Sequence, residues 1–191
     1  MNPLRPALVA AVLLLAGCMV SVSRPVEPRG ETRQAPSRSA DSVATAREGE
    51  MAALLTGDPR QRRPRLTWNP ILARVARERA RDMAARGYFA HVTPEGVGPN
   101  TLVERAGYVL PAAYDHRLAG NNIESAAEGY ASAEAAWRRW MGSPRHRSHL
   151  LAIEAEQRKQ SEFGIGFALR PGSRSGAYWV VLIAEPGTRS D

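Results

Sequence analysis

The sequence predicts an α+β domain, and three observations lead there. Apolar residues recur at helical spacing across residues 41–57, 70–86, 101–106 and 132–151. Two later runs, Phe163 to Leu169 and Tyr178 to Ile183, are short, rich in β-branched and aromatic side chains, and separated by Pro171-Gly172. Helices come first and a hairpin follows, which is the order of an α+β domain rather than of alternating β-α units.

Each element has its own start and stop signals. Asp41 and Ser42 are caps for a first helix carrying Val43, Met51, Leu54 and Leu55 to one side, and Gly57-Asp58-Pro59 ends it. Arg60, Arg62, Arg63 and Arg65 then read as a solvated basic loop. Asn69 caps a second helix and Pro70 is its first residue; Leu72, Val75, Ala76, Ala80, Met83 and Ala84 form its apolar stripe, and Gly87 stops it. Thr101 to Ala106 is a short helix before Gly107. Ser132 caps a third long helix with Ala136, Trp137 and Trp140, which Ser143-Pro144 breaks and restarts through His146 to Leu151. Gly164-Ile165-Gly166 lies in a strand and lacks the third glycine and following helix of a dinucleotide site, so it reads as a closely packed strand. Trp68, Trp137, Trp140 and Trp179 read as core residues.

The chain has 191 residues, 43% of them hydrophobic and 24% charged, the balance of one globular domain with a tail. Its single cysteine excludes a disulfide framework and a thiolate metal cluster. Its net charge of +7 comes from arginine, Lys159 being the sole lysine. Arg5 followed by the apolar stretch Ala7 to Leu15 has the form of an export signal, too short to span a bilayer as a mature helix. Leu15-Ala16-Gly17-Cys18 resembles a bacterial lipobox, which implies removal of residues 1–17 and acylation of Cys18. Several acyl chains give lasting attachment to a membrane. An exported chain is not expected to meet nucleic acid. Residues 18–40 are rich in Pro, Ser, Arg and Glu and read as a flexible tether, leaving 41–191 as the domain. The chain has no Gly-x-Ser-x-Gly elbow, no His-Glu-x-x-His and no phosphate-binding P-loop.

Several blocks, in order, carry a resemblance. They are Leu66 to Pro70 with Leu72, Met83 to His91, Thr93 to Gly96, Arg105 to Tyr108, Gly120 to Ile123, Trp140 to Arg147 and Phe163 to Gly166. Together they resemble the CAP superfamily, the fold of plant pathogenesis-related proteins, wasp antigen 5 and cysteine-rich secretory proteins, and in particular its bacterial secreted branch. The resemblance spans roughly residues 45–185. It implies a three-layer α-β-α sandwich and a cleft where two histidines and two acidic residues gather, binding a divalent metal in some members. By position the histidines are His91 and His146, while the acidic places hold Asn121 and Ser143.

Two imidazoles are good ligands for a zinc-like ion, yet a tight site takes three or four protein ligands. Asn121 and Ser143 offer neutral oxygens and cannot act as general bases near neutral pH. The expectation is therefore a weakly held divalent metal such as zinc on His91 and His146, and no confident catalytic residue. Glu124 would stand one turn beyond Asn121 if that stretch were helical, and is the candidate replacement carboxylate. His149 shares a helical face with His146 and either joins the cleft or hydrogen-bonds a neighbouring loop. His116 reads as a surface residue. The function expected is a lipid-anchored cell-envelope module, monomeric, binding a lipid-like ligand or an envelope polymer. The alternative is a metal-assisted hydrolase of envelope material.

Overall fold

The computed structural model describes residues 38–170 and 176–188. The export signal, Cys18, the tether as far as residue 37 and the Pro171-Gly172 turn lie outside the described residues. Among the described residues, no helix is long and apolar enough to cross a membrane.

Among the described residues, five α-helices and four strands form the domain: α1 (Arg38–Gly57), β1 (Thr67–Trp68), α2 (Pro70–Arg86), α3 (Pro99–Arg105), β2 (Glu124–Glu128), α4 (Ala133–Met141), α5 (Pro144–Leu151), β3 (Glu162–Leu169) and β4 (Ala177–Ala184). A 3₁₀ turn, Glu156–Lys159, precedes β3. The helix starts follow the cap chemistry. Asn69 accepts from the Ile71 and Leu72 amides at the head of α2, and Ser132 accepts from the Ala135 amide at the head of α4. Gly87 ends α2 in the left-handed region, at φ 69°, where a Cβ is strained. The first helix departs from expectation. It begins at Arg38, so Asp41 and Ser42 lie inside it rather than capping it.

The sheet order is β1-β3-β4-β2, with β1 parallel to β3 and the other pairs antiparallel. Strand alternation splits the core into two layers. Phe163, Ile165, Phe167, Trp179, Val181 and Ile183 meet α1, α4 and α5 through Met51, Leu55, Trp137, Trp140 and Leu150. On the other face Tyr178, Val180 and Leu182 meet Leu72, Val75, Ala76 and Met83 of α2. Every residue of β4 is buried, because helices cover both faces of this central strand. This is the α-β-α sandwich.

The two glycines of β3 set how closely α2 approaches. A Cβ on Gly164 would lie 2.1 Å from the Ala73 nitrogen, and one on Gly166 would lie 2.2 Å from the Ala76 carbonyl carbon. Two expectations are corrected by the packing. Trp68 is 40% exposed, because β1 is a two-residue edge strand; its ring meets Phe163 edge-on at 5.4 Å and lies under the Arg77 guanidinium. Arg63 is buried, not solvated, and donates to the carbonyls of His149 and Leu150 and to Gln160 Oε1.

Candidate functional site

The site forms where the loop after α2, the first residues of β2 and the start of α5 meet. Glu124 opens β2 opposite Leu182, and so faces α2; Ser125 opposes Val181 and faces α5. This alternation decides which side chain reaches which histidine.

Glu124, with a fully buried side chain, approaches His91 Nδ1 at 2.8 Å through Oε1. Arg79 Nε donates to its other oxygen at 3.1 Å. Arg79 is itself buried, and its other nitrogens donate to the Tyr88 hydroxyl and to the carbonyls of Ala90 and His91. One guanidinium thus fixes the loop backbone and the carboxylate that orients the His91 ring. Tyr88 donates in turn to Asp82, and burial together with that carboxylate pushes its phenol up to about 12. His91 is 47% exposed, so the held ring faces an open cleft.

His146 lies on α5, one turn from the helix start. Its Nδ1 pairs with Ser143 Oγ at 2.9 Å, and Ser143 makes no capping bond with that oxygen. Burial lowers the His146 pKa, and the nearby charges of His91 and Arg139 lower it further. Beside it is a cavity of about 290 Å³ lined by Phe89, Ala126, Ala127, Glu128, Tyr130, Arg139 and Trp140. Phe89 is 42% exposed.

His149 does not join the cleft pair through its ring nitrogens. Its Nδ1 pairs with Ser125 Oγ at 2.8 Å, and its Nε2 is sealed from solvent without a partner. Its partner is thus a strand residue rather than the loop expected. Burial, with the Arg63 charge next in effect, drives its pKa down to about 3, so the ring is neutral. Asn121 Oδ1 accepts from the amides of Ile123 and Glu124 and so shapes the turn into β2. His116 is a surface residue paired with Glu104.

His91 is therefore joined to Glu124, and His146 to Ser143, while Asn121 belongs to the turn. Glu124 arrives by opening a strand, not by the helical turn considered for it. Two imidazoles with their Nδ1 atoms held leave Nε2 on each ring as the ligand nitrogen. Among the described residues no group of three or more His, Cys, Asp or Glu side chains is placed to hold a metal ion. This donor set does not fit a tightly held ion. Sequence reasoning missed Arg79, Ser125 and Arg63. Arg79 had a signal: it stands three residues after Ala76 and four before Met83, within the apolar stripe, where a lone arginine implies a buried partner.

The comparisons agree with this architecture. Residues 32–183 match the family model CAP, the Cysteine-rich secretory protein family. A crystal structure of an extracellular protein containing a SCP domain from Bacillus anthracis str. Ames superposes with TM-score 0.59 at 20% identity, covering 85% of this chain. The chain spans only 45% of that protein's length. An outer surface protein from Borrelia burgdorferi gives TM-score 0.49 at 16% identity, covering 77% of this chain and 89% of that one. No curated protein matches the chain. With the family model covering most of its length and the α-β-α sandwich in place, the chain belongs to the CAP, or Cysteine-rich secretory protein, family.

Proposed function

We propose that this is an envelope protein, anchored through acylated Cys18, whose CAP domain binds an amphipathic, lipid-like ligand without transforming it. The observation that carries this reading is the cavity beside His146. Phe89, Tyr130 and Trp140 with Ala126 and Ala127 offer apolar surface, and Arg139, which shares the mixed lining with Glu128 and His146, offers a cation for a polar head. The export signal and lipobox resemblance support the location, as does the extracellular nature of the Bacillus anthracis protein. The carboxylate that touches His91 is buried and held by Arg79, so it orients the ring rather than activating water.

Trp140 provides the readout. Titration with dodecanoate should change tryptophan fluorescence saturably, and Phe89→Ala should weaken binding by about tenfold, the loss expected from deleting one large apolar wall. Failure of both dodecanoate and dodecanol to bind would overturn the reading.

Hydrolysis is the second reading, and the Glu124–His91 contact at 2.8 Å is what favours it. A carboxylate holding one imidazole nitrogen leaves the other poised as acid or base. Turnover of envelope peptides by the purified domain, abolished in His91→Ala, would establish it over the binding reading.

A further inference from the structure

A second cavity, of about 360 Å³, lies on the other side of Glu124, between the Asn121–Asn122 turn and the 3₁₀ turn at Glu156. Its polar groups differ from those of the cavity beside His146, where Arg139, Glu128 and the imidazole line the wall. Four side-chain amides line it, and in three of them the carbonyl oxygen accepts two protein donors. Asn121 Oδ1 accepts from the Ile123 and Glu124 amides. Asn122 Oδ1 accepts from Asn100 Nδ2 at 2.7 Å and the Asp115 amide at 2.8 Å. Gln157 Oε1 accepts from Ser148 Oγ at 3.1 Å and the Glu154 amide at 3.3 Å.

These bonds fix which end of each amide is oxygen. They also leave three NH₂ groups whose hydrogens find no acceptor among the described residues. Glu156, on the same wall, receives no hydrogen bond from the described residues. Gln160 is occupied at both ends, accepting from Arg63 and donating to the Asn122 carbonyl. The lining thus combines an excess of neutral donors with one open carboxylate.

That combination selects a ligand class. No lysine or arginine lines the cavity, and Glu156 repels anions, so a carboxylate or phosphate is disfavoured. Asn121 and Asn122 are exposed and Gln157 half-buried, so a ligand that accepts from their N–H groups replaces water there without leaving a donor unpaired. A neutral polyhydroxyl ring offers oxygens to the amides and a hydroxyl proton to Glu156 at the same time. The volume lies near the lower end of the roughly 300–1,000 Å³ of small-molecule sites, which suits one ring. We infer that this cavity, separate from the one beside His146, binds a neutral sugar residue through the amides of Asn121, Asn122 and Gln157 and the carboxylate of Glu156.

Two isosteric variants test it without dismantling the turns. Asn121→Asp and Gln157→Glu keep the oxygen that accepts protein donors and delete the NH₂. The full chain, labelled with ¹⁵N, is titrated with glucose, galactose and N-acetylglucosamine through the millimolar range while the side-chain amide signals are followed. Saturable shifts of Asn121, Asn122 and Gln157 with at least one sugar are expected, weakened about tenfold in either variant and in Glu156→Ala, equivalent to about one hydrogen bond each. No shift with any of the three sugars would overturn the inference. Equal shifts with sodium acetate, or affinities unchanged in all three variants, would also overturn it. Dodecanoate binding should be intact in Gln157→Glu, so failure here is distinguishable from failure of the cavity beside His146.

Discussion

Glu124 and Arg79 show how one residue pair can hold a functional loop. Both side chains are almost wholly buried, and each has the other as its charge partner. Removing one member of a buried pair costs about 3–5 kcal/mol, because the other is left charged in a low dielectric. Glu124→Ala should therefore lower the urea midpoint of unfolding by a corresponding amount. His91 should also lose its restrained ring, which NMR would show as averaging of the ring signals. His149 gives a separate test through pH. Its folded pKa is driven to about 3 against an ordinary 6.5, so the unfolded chain binds that proton more readily. Its contribution is full above pH 6.5 and drains as pH falls toward 3, by at most about 1.4 kcal/mol per unit. His149→Asn should flatten the acid limb of a stability–pH profile measured by chemical denaturation. A limb of unchanged slope would show that other groups carry the acid sensitivity.

At the scale of elements, the β3 glycines bring α2 close enough for Arg79 to reach Glu124. Gly164→Ala or Gly166→Ala puts a methyl into helix backbone, which cannot yield as a flexible side chain would. Overpacking of this kind costs about 1–3 kcal/mol. Thermal unfolding should report it, and the Glu124–His91 contact should loosen with it as α2 moves away. The close packing was legible beforehand from Gly164-Ile165-Gly166 within a β-rich run. Strand β2 was not legible, because Glu-Ser-Ala-Ala-Glu has few β-branched or aromatic residues. It is a strand because β4 offers it an open edge, five residue pairs long.

At the scale of the molecule, the anchor and the cleft make separate claims. If Cys18 carries the acyl chains, Cys18→Ser should release the protein to the soluble fraction or leave an uncleaved precursor. Mature-length protein still bound to membranes would refute the anchor. For the cleft, two imidazoles should take zinc weakly, and binding should weaken as pH falls because a ligand imidazole must give up its proton. Calorimetric titration of the full chain checks this, with His91→Ala expected to remove the signal. Tight zinc binding that survives His91→Ala would move the metal elsewhere.

What the sequence determined by itself was the α+β class, the capped helices α2 and α4 and the β3–β4 hairpin. These follow from local signals: a cap, a period, a glycine. The partners of the histidines were decided only by tertiary structure. Glu124 and Ser125 are neighbours in the chain, yet β2 turns them to opposite faces, one toward His91 and Arg79, the other toward His149. Arg63 looked like one of four loop arginines until four acceptors closed around it. A strand's period of two sends adjacent residues to different layers, and only the fold places the helices that receive them.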